Sequence, residues 1–210
     1  HLGKHLVESL TAWGREGFLY RVDLRLRPEG SSGALVRSAE SCKVYYASQG
    51  ETWERMAMIK ARPVAGDIAA GEALLAELGP FIYPRHPPRD FPAEIRRIKS
   101  RAEREVVREG ELESNLKLGR GGIREIEFIV QALQLRHAGA QPQLRGRRTL
   151  DMLGRLAGAG LIEPALAREL ADAYCLLRTL EHRIQMDHHR QTHTLPADAQ
   201  ARRRLGASLG

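Results

Sequence analysis

"FLYRVDLRLRPEG", residues 18–30, decides how the rest of the chain is read. Phe18, Tyr20 and Val22 lead into Asp23, Arg25 and Arg27, which occupy every second position, with Leu24 and Leu26 between them. Alternation of this kind predicts a β-strand, because successive side chains of a strand point to opposite faces. One face would then carry a carboxylate beside two guanidiniums, and the other Val22, Leu24 and Leu26. The run stops at "PEGSSG" (28–33), a turn rich in Pro, Gly and Ser, and "ALVRS" (34–38) predicts a second strand. So short a connection allows only an antiparallel hairpin.

Beyond residue 39 the period changes from two to helical spacing, and residues 2–13 already show that spacing at Leu2, Leu6, Leu10 and Trp13. Helices are predicted over 39–50, with Ser38 as N-cap, and over 52–62, with Thr52 as a cap and Pro63 ending the run. Further helices are expected over 67–83, 93–110, 123–139, 147–158, 163–188 and 197–206. "PRHPPRDFP" (84–92) concentrates proline and predicts a junction. The expected division is 1–50 as the end of an α/β core, 51–92 as connecting helices and the proline-rich junction, and 93–210 as an α-helical bundle.

Composition is that of a globular chain: 42% hydrophobic and 28% charged over 210 residues, with aromatics at only 5%. The core is therefore expected to be built from Leu, Ile, Val and Ala. The net charge of +7 and a pI near 9.8 suit phosphate, nucleotide or an acidic protein partner. Nucleic acid would suit the charge too, but aromatic platforms and a recognisable motif are missing. No run approaches the roughly 20 apolar residues of a membrane helix. Cys42 and Cys175 lie far apart and read as reduced thiols, which suits a cytoplasmic protein. The chain opens with His1 in what reads as mid-helix, so a piece of something longer is expected.

Three clusters offer chemistry. Asp23 with Arg25 and Arg27 combines a group that takes Mg²⁺ with groups that grip phosphate, or else forms a structural ion pair. "TWERMAMIKARP" (52–63) places Glu54, Arg55, Lys60 and Arg62 on a helix and its end; a solvated face is the plain alternative. "KLGRGGIREIEFIVQ" (117–131) sets Gly119, Arg120, Gly121 and Gly122 before a helix that carries Arg124, Glu125 and Glu127. A helix N-terminus of this kind can cradle an anion. The two glutamates favour the helix dipole in any case. His182, His188, His189 and His193 cluster near the end without a partner at ligand spacing.

Taken together, "YRVDLRLRPEGSSGALV", "TWERMAMIKARPVAGD", "KLGRGGIREIEFIVQALQLRHAG" and "LRTLEHRIQMDHHRQTHTLP" resemble the glutamine synthetase adenylyltransferases, the bifunctional glutamate–ammonia-ligase regulators. The resemblance runs in order over essentially the whole chain. It implies a mainly α protein: a partial nucleotidyltransferase core of the polymerase β type (a helix plus a β-hairpin), followed by an α-helical bundle. Such enzymes have two related halves, one attaching AMP to a tyrosine of glutamine synthetase and the other removing it by phosphorolysis, which releases ADP. "GGIREIEFIVQ" and "QTHTLP" resemble the removing half; the adenylylating half is the alternative. The resemblance further implies Mg²⁺ as cofactor, Asp23 as a catalytic metal ligand and Arg25 and Arg27 as phosphate or bracing groups. It implies phosphate contacts at Lys60, Arg62, Arg120, Gly121, Gly122 and Arg124, and supporting roles for Glu54, Glu125 and Glu127. Glutamine synthetase, a PII-type signal protein, nucleotide and phosphate are the implied partners. The Gly-Ser turn and Asp-x-Asp pair of the superfamily do not occur before Asp23, so the chain alone is expected to be inactive. A non-catalytic helical module binding glutamine synthetase or the signal protein through its basic surface would give Asp23 no role.

Overall fold

A computed structural model describes the chain except residues 16, 18, 19, 21, 88–90, 109–112, 189–191 and 209–210; the side chains of 102, 103, 105–108, 187 and 188 are likewise outside the described set. The fold is mainly helical and divides into two compact units, His1–Ile82 and Tyr83–Gly210.

The first unit holds α1 (Leu2–Thr11), α2 (Ala39–Ser48), α3 (Thr52–Ile59), α4 (Ile68–Glu77) and the single turn α5 (Gly79–Ile82). Ser38 caps α2 as its spacing predicts, its hydroxyl accepting from the Ser41 N–H at 3.2 Å. The cap of α3 is Glu51 rather than Thr52: Glu51 and Glu54 each accept the other's backbone N–H in a reciprocal capping box. The buried core is Tyr46, Met56, Ile59, Leu78, Phe81 and Ile82. Phe81 lies 4.9 Å from the Tyr46 ring, under the Arg55 guanidinium at 4.2 Å. Gly50, just after α2, has to be glycine because a Cβ there would sit 2.2 Å from the Phe81 ring.

The expected hairpin over 18–38 is not found among the described residues; Phe18, Leu19 and Arg21 fall outside them. Residues 22–25 have no ladder partner among the described residues, 26–29 bend and turn, and Gly30–Ser32 form a 3₁₀ turn. The cause is local. The Arg27 guanidinium folds back over its own loop and takes the carbonyls of Leu24, Ser31 and Gly33, among them the groups a neighbouring strand would have taken.

The second unit holds α6 (Phe91–Arg108), α7 (Ile123–His137), α8 (Thr149–Gly158), α9 (Pro164–His188) and α10 (Ala199–Ala207). Helix α8 packs on both α7 and α9, burying Ile126, Val130, Leu144, Met152, Leu153 and Leu156. Aliphatic residues dominate, as the scarcity of aromatics led one to expect. Of the apolar stripe expected on α6, Ala102 and Val106 fall outside the described side chains. One buried polar group matters here. Gln134, 1% exposed, donates to the Leu144 carbonyl at 2.9 Å and the Gly146 carbonyl at 2.8 Å, fixing the α7–α8 connection. Gln134→Leu would keep the volume and orphan both carbonyls. Such a change costs about 1–3 kcal/mol. Urea unfolding followed by helical circular dichroism should show a lower midpoint for this variant, and an unchanged midpoint would show that the connection does not rely on it.

Candidate functional site

The first expected cluster is assembled by the loop at 22–33. Asp23 and Arg25 form a pair in which the guanidinium covers both carboxylate oxygens, with Nη2 to Oδ2 at 2.7 Å and Nε to Oδ1 at 3.0 Å; the Arg25 N–H donates to Oδ1 as well. Both side chains face solvent, at 51% and 79% exposure, so the pair adds little to stability, about 0–1 kcal/mol. Arg27 is placed differently, as the brace described above. Gly33 is obligatory there, because a Cβ would lie 2.0 Å from the Pro28 carbonyl oxygen. Glu29 adopts a left-handed φ of 62°, an unusual conformation for a side chain of its kind.

Three residues that sequence reasoning missed fasten this loop. The Glu29 carboxylate meets Arg37 at 2.6 Å, and its N–H donates to the Tyr45 hydroxyl at 3.2 Å. That hydroxyl in turn donates to Glu54 at 3.1 Å. Glu54 is 3% exposed, and burial pushes its carboxyl up despite the opposing hydrogen bonds from the Glu51 N–H and Tyr45. The expectation that Glu54 is a supporting residue thus acquires a geometry. Lys60 closes α3, and Arg62 is exposed just beyond it.

In the second unit, the glycine-rich loop spends its backbone on itself. The Ile123 N–H donates to the Leu116 carbonyl and the Arg124 N–H to the Lys117 carbonyl, at 2.9 and 3.0 Å. These first-turn donors of α7 are the ones an anion cradle would have used. Gly122 makes the approach possible, since a Cβ there would meet three backbone oxygens at 2.8–3.0 Å, and Gly121 supplies a φ of 70°. Arg120 and Arg124 project from the loop and are exposed, Arg124 lying over the Phe128 ring at 5.3 Å. Glu125 pairs with Lys99 of α6 at 2.9 Å, and Glu127 accepts from the Tyr174 hydroxyl of α9 at 3.1 Å.

The same loop is clasped to the segment after α9. The Leu116 N–H donates to the His193 carbonyl, the Leu195 N–H to the Ser114 carbonyl, and Asn115 bridges to Thr194. Beneath them, Glu181, 3% exposed, meets Arg178 at 2.7 Å and His193 Nδ1 at 2.7 Å. The imidazole approach lies outside the direction of a well-aligned hydrogen bond. Two of the quoted motifs, "NLKLGRGGI" and "EHRIQ…THTLP", are therefore one structure. Among the described residues no three His, Cys, Asp or Glu side chains gather as a metal group. A cleft of about 340 Å³ between α9 and α10 is lined by Arg183, Ile184, Met186, Arg204 and Leu205 among others, and none of the expected site residues lines it.

Two family models match the chain. Residues 1–77 match the family model described as glutamate-ammonia ligase adenylyltransferase, and residues 89–210 the model described as GlnD PII-uridylyltransferase. The chain is 48% identical over 211 residues to the bifunctional glutamine synthetase adenylyltransferase/adenylyl-removing enzyme of Hahella chejuensis, covering 100% of this chain and 22% of that protein. The enzyme of the same name from Pseudomonas aeruginosa is also 48% identical, with 100% and 21% covered. That from Rhizobium meliloti is 45% identical, with 99% and 21% covered. The chain belongs to the family of bifunctional glutamine synthetase adenylyltransferase/adenylyl-removing enzymes. It spans about a fifth of the length of the curated relatives it matches. In this family member no helix among the described residues is long and apolar enough to cross a membrane.

The His193 clasp carries a pH signature. Burial lowers the His193 pKa below its ordinary value, Lys117 and Arg178 push the same way, and Glu181 opposes them. The unfolded chain takes up a proton near pH 6.5, and the folded one resists it, so stability is present above that pH and is lost as pH falls below it. Melting measured from pH 7 to pH 5 should fall more steeply for the unmodified chain than for His193→Gln. Equal slopes would remove His193 from the account.

Proposed function

We propose that the chain is part of an enzyme that removes AMP from a tyrosine of adenylylated glutamine synthetase. A phosphate oxygen attacks the AMP phosphorus, the bond to the tyrosine oxygen breaks, ADP leaves and the tyrosine hydroxyl takes back a proton. The observation that carries this reading is the solvent-facing Asp23–Arg25 pair on a loop braced from within by Arg27. It places a carboxylate and a guanidinium at a fixed, accessible point, which suits a phosphoryl centre. The whole-length similarity to enzymes named for both AMP addition and AMP removal supports the class of reaction. The "REIEF" run at 124–128 favours the removing half, and the adenylylating half is the second reading.

Mg²⁺ belongs to this reading through Asp23 alone. The described residues do not by themselves fit an ion of this kind: no three His, Cys, Asp or Glu side chains gather there, both Asp23 oxygens accept from Arg25, and the loop's other carboxylate, Glu29, pairs with Arg37. Further carboxylates would have to join Asp23 to hold the ion. Arg25, at 79% exposure, is the guanidinium of the loop that phosphate reaches. Arg62, Arg120 and Arg124 are exposed cations for the same class of ligand, and Lys60 lies two residues before Arg62 at the end of α3. Gly121 and Gly122 contribute by shaping the loop that presents Arg120. The net charge of +7 favours encounter with phosphate, nucleotide, glutamine synthetase and a PII-type signal protein.

The test replaces the matching stretch of the Pseudomonas aeruginosa relative by this chain and introduces Asp23→Asn. ADP release from AMP-modified glutamine synthetase with phosphate and Mg²⁺ should fall about 10²–10³-fold, the usual effect of losing one electrostatic element at a reacting centre. ATP-dependent AMP addition should continue, and the melting temperature should hardly move. Loss of addition alone would assign the chain to the adenylylating half; retention of both activities would sink the reading.

A further inference from the structure

The loop that bears Asp23 is held from within by Arg27. Arg27 holds the Leu24 carbonyl, next to Asp23, and at its other end the carbonyls of Ser31 and Gly33. Residues 24–33 therefore move together. Glu29 connects this body to the helices. Its carboxylate pairs with Arg37, and its N–H donates to Tyr45. The Tyr45 side chain is fixed on three sides: the Arg37 guanidinium lies over its ring at 5.5 Å, the Tyr46 ring stands edge-on at 5.2 Å, and the hydroxyl reaches Glu54 at 3.1 Å. Glu54 is itself immobilised, buried to 3% and bonded at 2.9 Å to the Glu51 N–H that starts α3.

The chemistry of the link is selective. A phenol hydroxyl accepts through its lone pairs and donates through its one proton. At Tyr45 it accepts from a backbone N–H on the loop and donates to a buried carboxylate on the helix, so both capacities are used and neither partner is left unsatisfied. Phenylalanine would fill the same volume and break both bonds. The Glu29 N–H would lose its partner on a residue already held at a left-handed φ of 62°.

We propose that Tyr45 is a positioning residue for Asp23, tying the loop that carries the carboxylate to the buried Glu54 of α3. The inference rests on the reading of Asp23 given above. Tyr45 meets no substrate in this account, so it acts on turnover through the loop and not on substrate affinity.

Tyr45→Phe tests this in two preparations. In the 210-residue chain, amide hydrogen exchange at Glu29 should quicken about tenfold, the equivalent of one lost hydrogen bond, while α2 and α3 keep their protection. In the chimaera, kcat for ADP release should fall about tenfold with KM for AMP-modified glutamine synthetase unchanged. Unaltered exchange at Glu29 would overturn the proposal, and so would faster exchange with full turnover. A rise in KM with kcat preserved would do so too, since it would make Tyr45 a substrate contact. Asp23→Asn, assayed alongside, separates the causes. If it abolishes ADP release while Tyr45→Phe leaves kcat unchanged, the positioning role fails and the functional reading stands. If it changes nothing, both fall.

Discussion

The guanidinium of Arg27 is the constraint on which the first unit depends. It reaches three carbonyl oxygens of its own loop, those of Leu24, Ser31 and Gly33. Hydrogen bonds from a charged donor are roughly twice as strong as neutral ones, and here they replace the ladder that a sheet would provide. The rest follows from accommodating that grip. The chain must turn tightly enough for Gly33 to come against Pro28, which leaves no room for a Cβ, and Glu29 must adopt a left-handed conformation. Glu29 then faces Arg37 and Tyr45, and through Tyr45 the loop reaches the capping box of α3. A single arginine thus sets where Asp23 and Arg25 stand relative to the helices of their own unit.

The second unit solves a related problem with backbone instead of a side chain. The N–H groups opening α7 are answered by the Leu116 and Lys117 carbonyls, and the Leu116 N–H by the His193 carbonyl. Glycine at 122 is the condition for that closeness. The outcome is a rigid glycine-rich loop whose polar groups are inward and whose Arg120 and Arg124 are outward. Glu181 beneath the clasp balances Arg178 and faces His193, so a buried carboxylate is compensated rather than left alone. In both units, some of the residues singled out in a linear reading hold the scaffold, Arg27 and Glu54 in the first and Gly122 in the second, whereas Asp23, Arg25, Arg120 and Arg124 face solvent.

Much of the helical content was legible. Ser38 at the start of α2, the aliphatic spacing of α7 and the long apolar run of α9 are local signals, and local signals survive into the fold. The hairpin was not, because alternation at Asp23, Arg25 and Arg27 has two physical solutions. A ladder on a neighbouring strand is one; a carboxylate–guanidinium pair two residues apart with a third side chain wrapping the turn is the other. A two-stranded hairpin is marginal without more strands or a packed face, and among the described residues the second arrangement is the one found. The α3 cap was misplaced by one residue because Thr52 is a conventional N-cap, whereas Glu51 succeeds only through its reciprocal bond with Glu54. Tyr45 with Glu29 and Glu181 with His193 lie 16 and 12 residues apart, beyond the reach of any periodicity. His193 stood out in the sequence only as one of several histidines.

The most direct test concerns Arg27 itself. Lysine keeps the charge but loses the fork that spans several carbonyls. Nitrogen-15 NMR of the chain should show a slowly exchanging Arg27 Nε–H, and Arg27→Lys should raise amide exchange across residues 24–33 toward that of an open loop while α2, α3 and α5 stay protected. A loop that keeps its protection in Arg27→Lys would contradict the account, because Asp23 and Arg25 would then be placed by something other than this guanidinium.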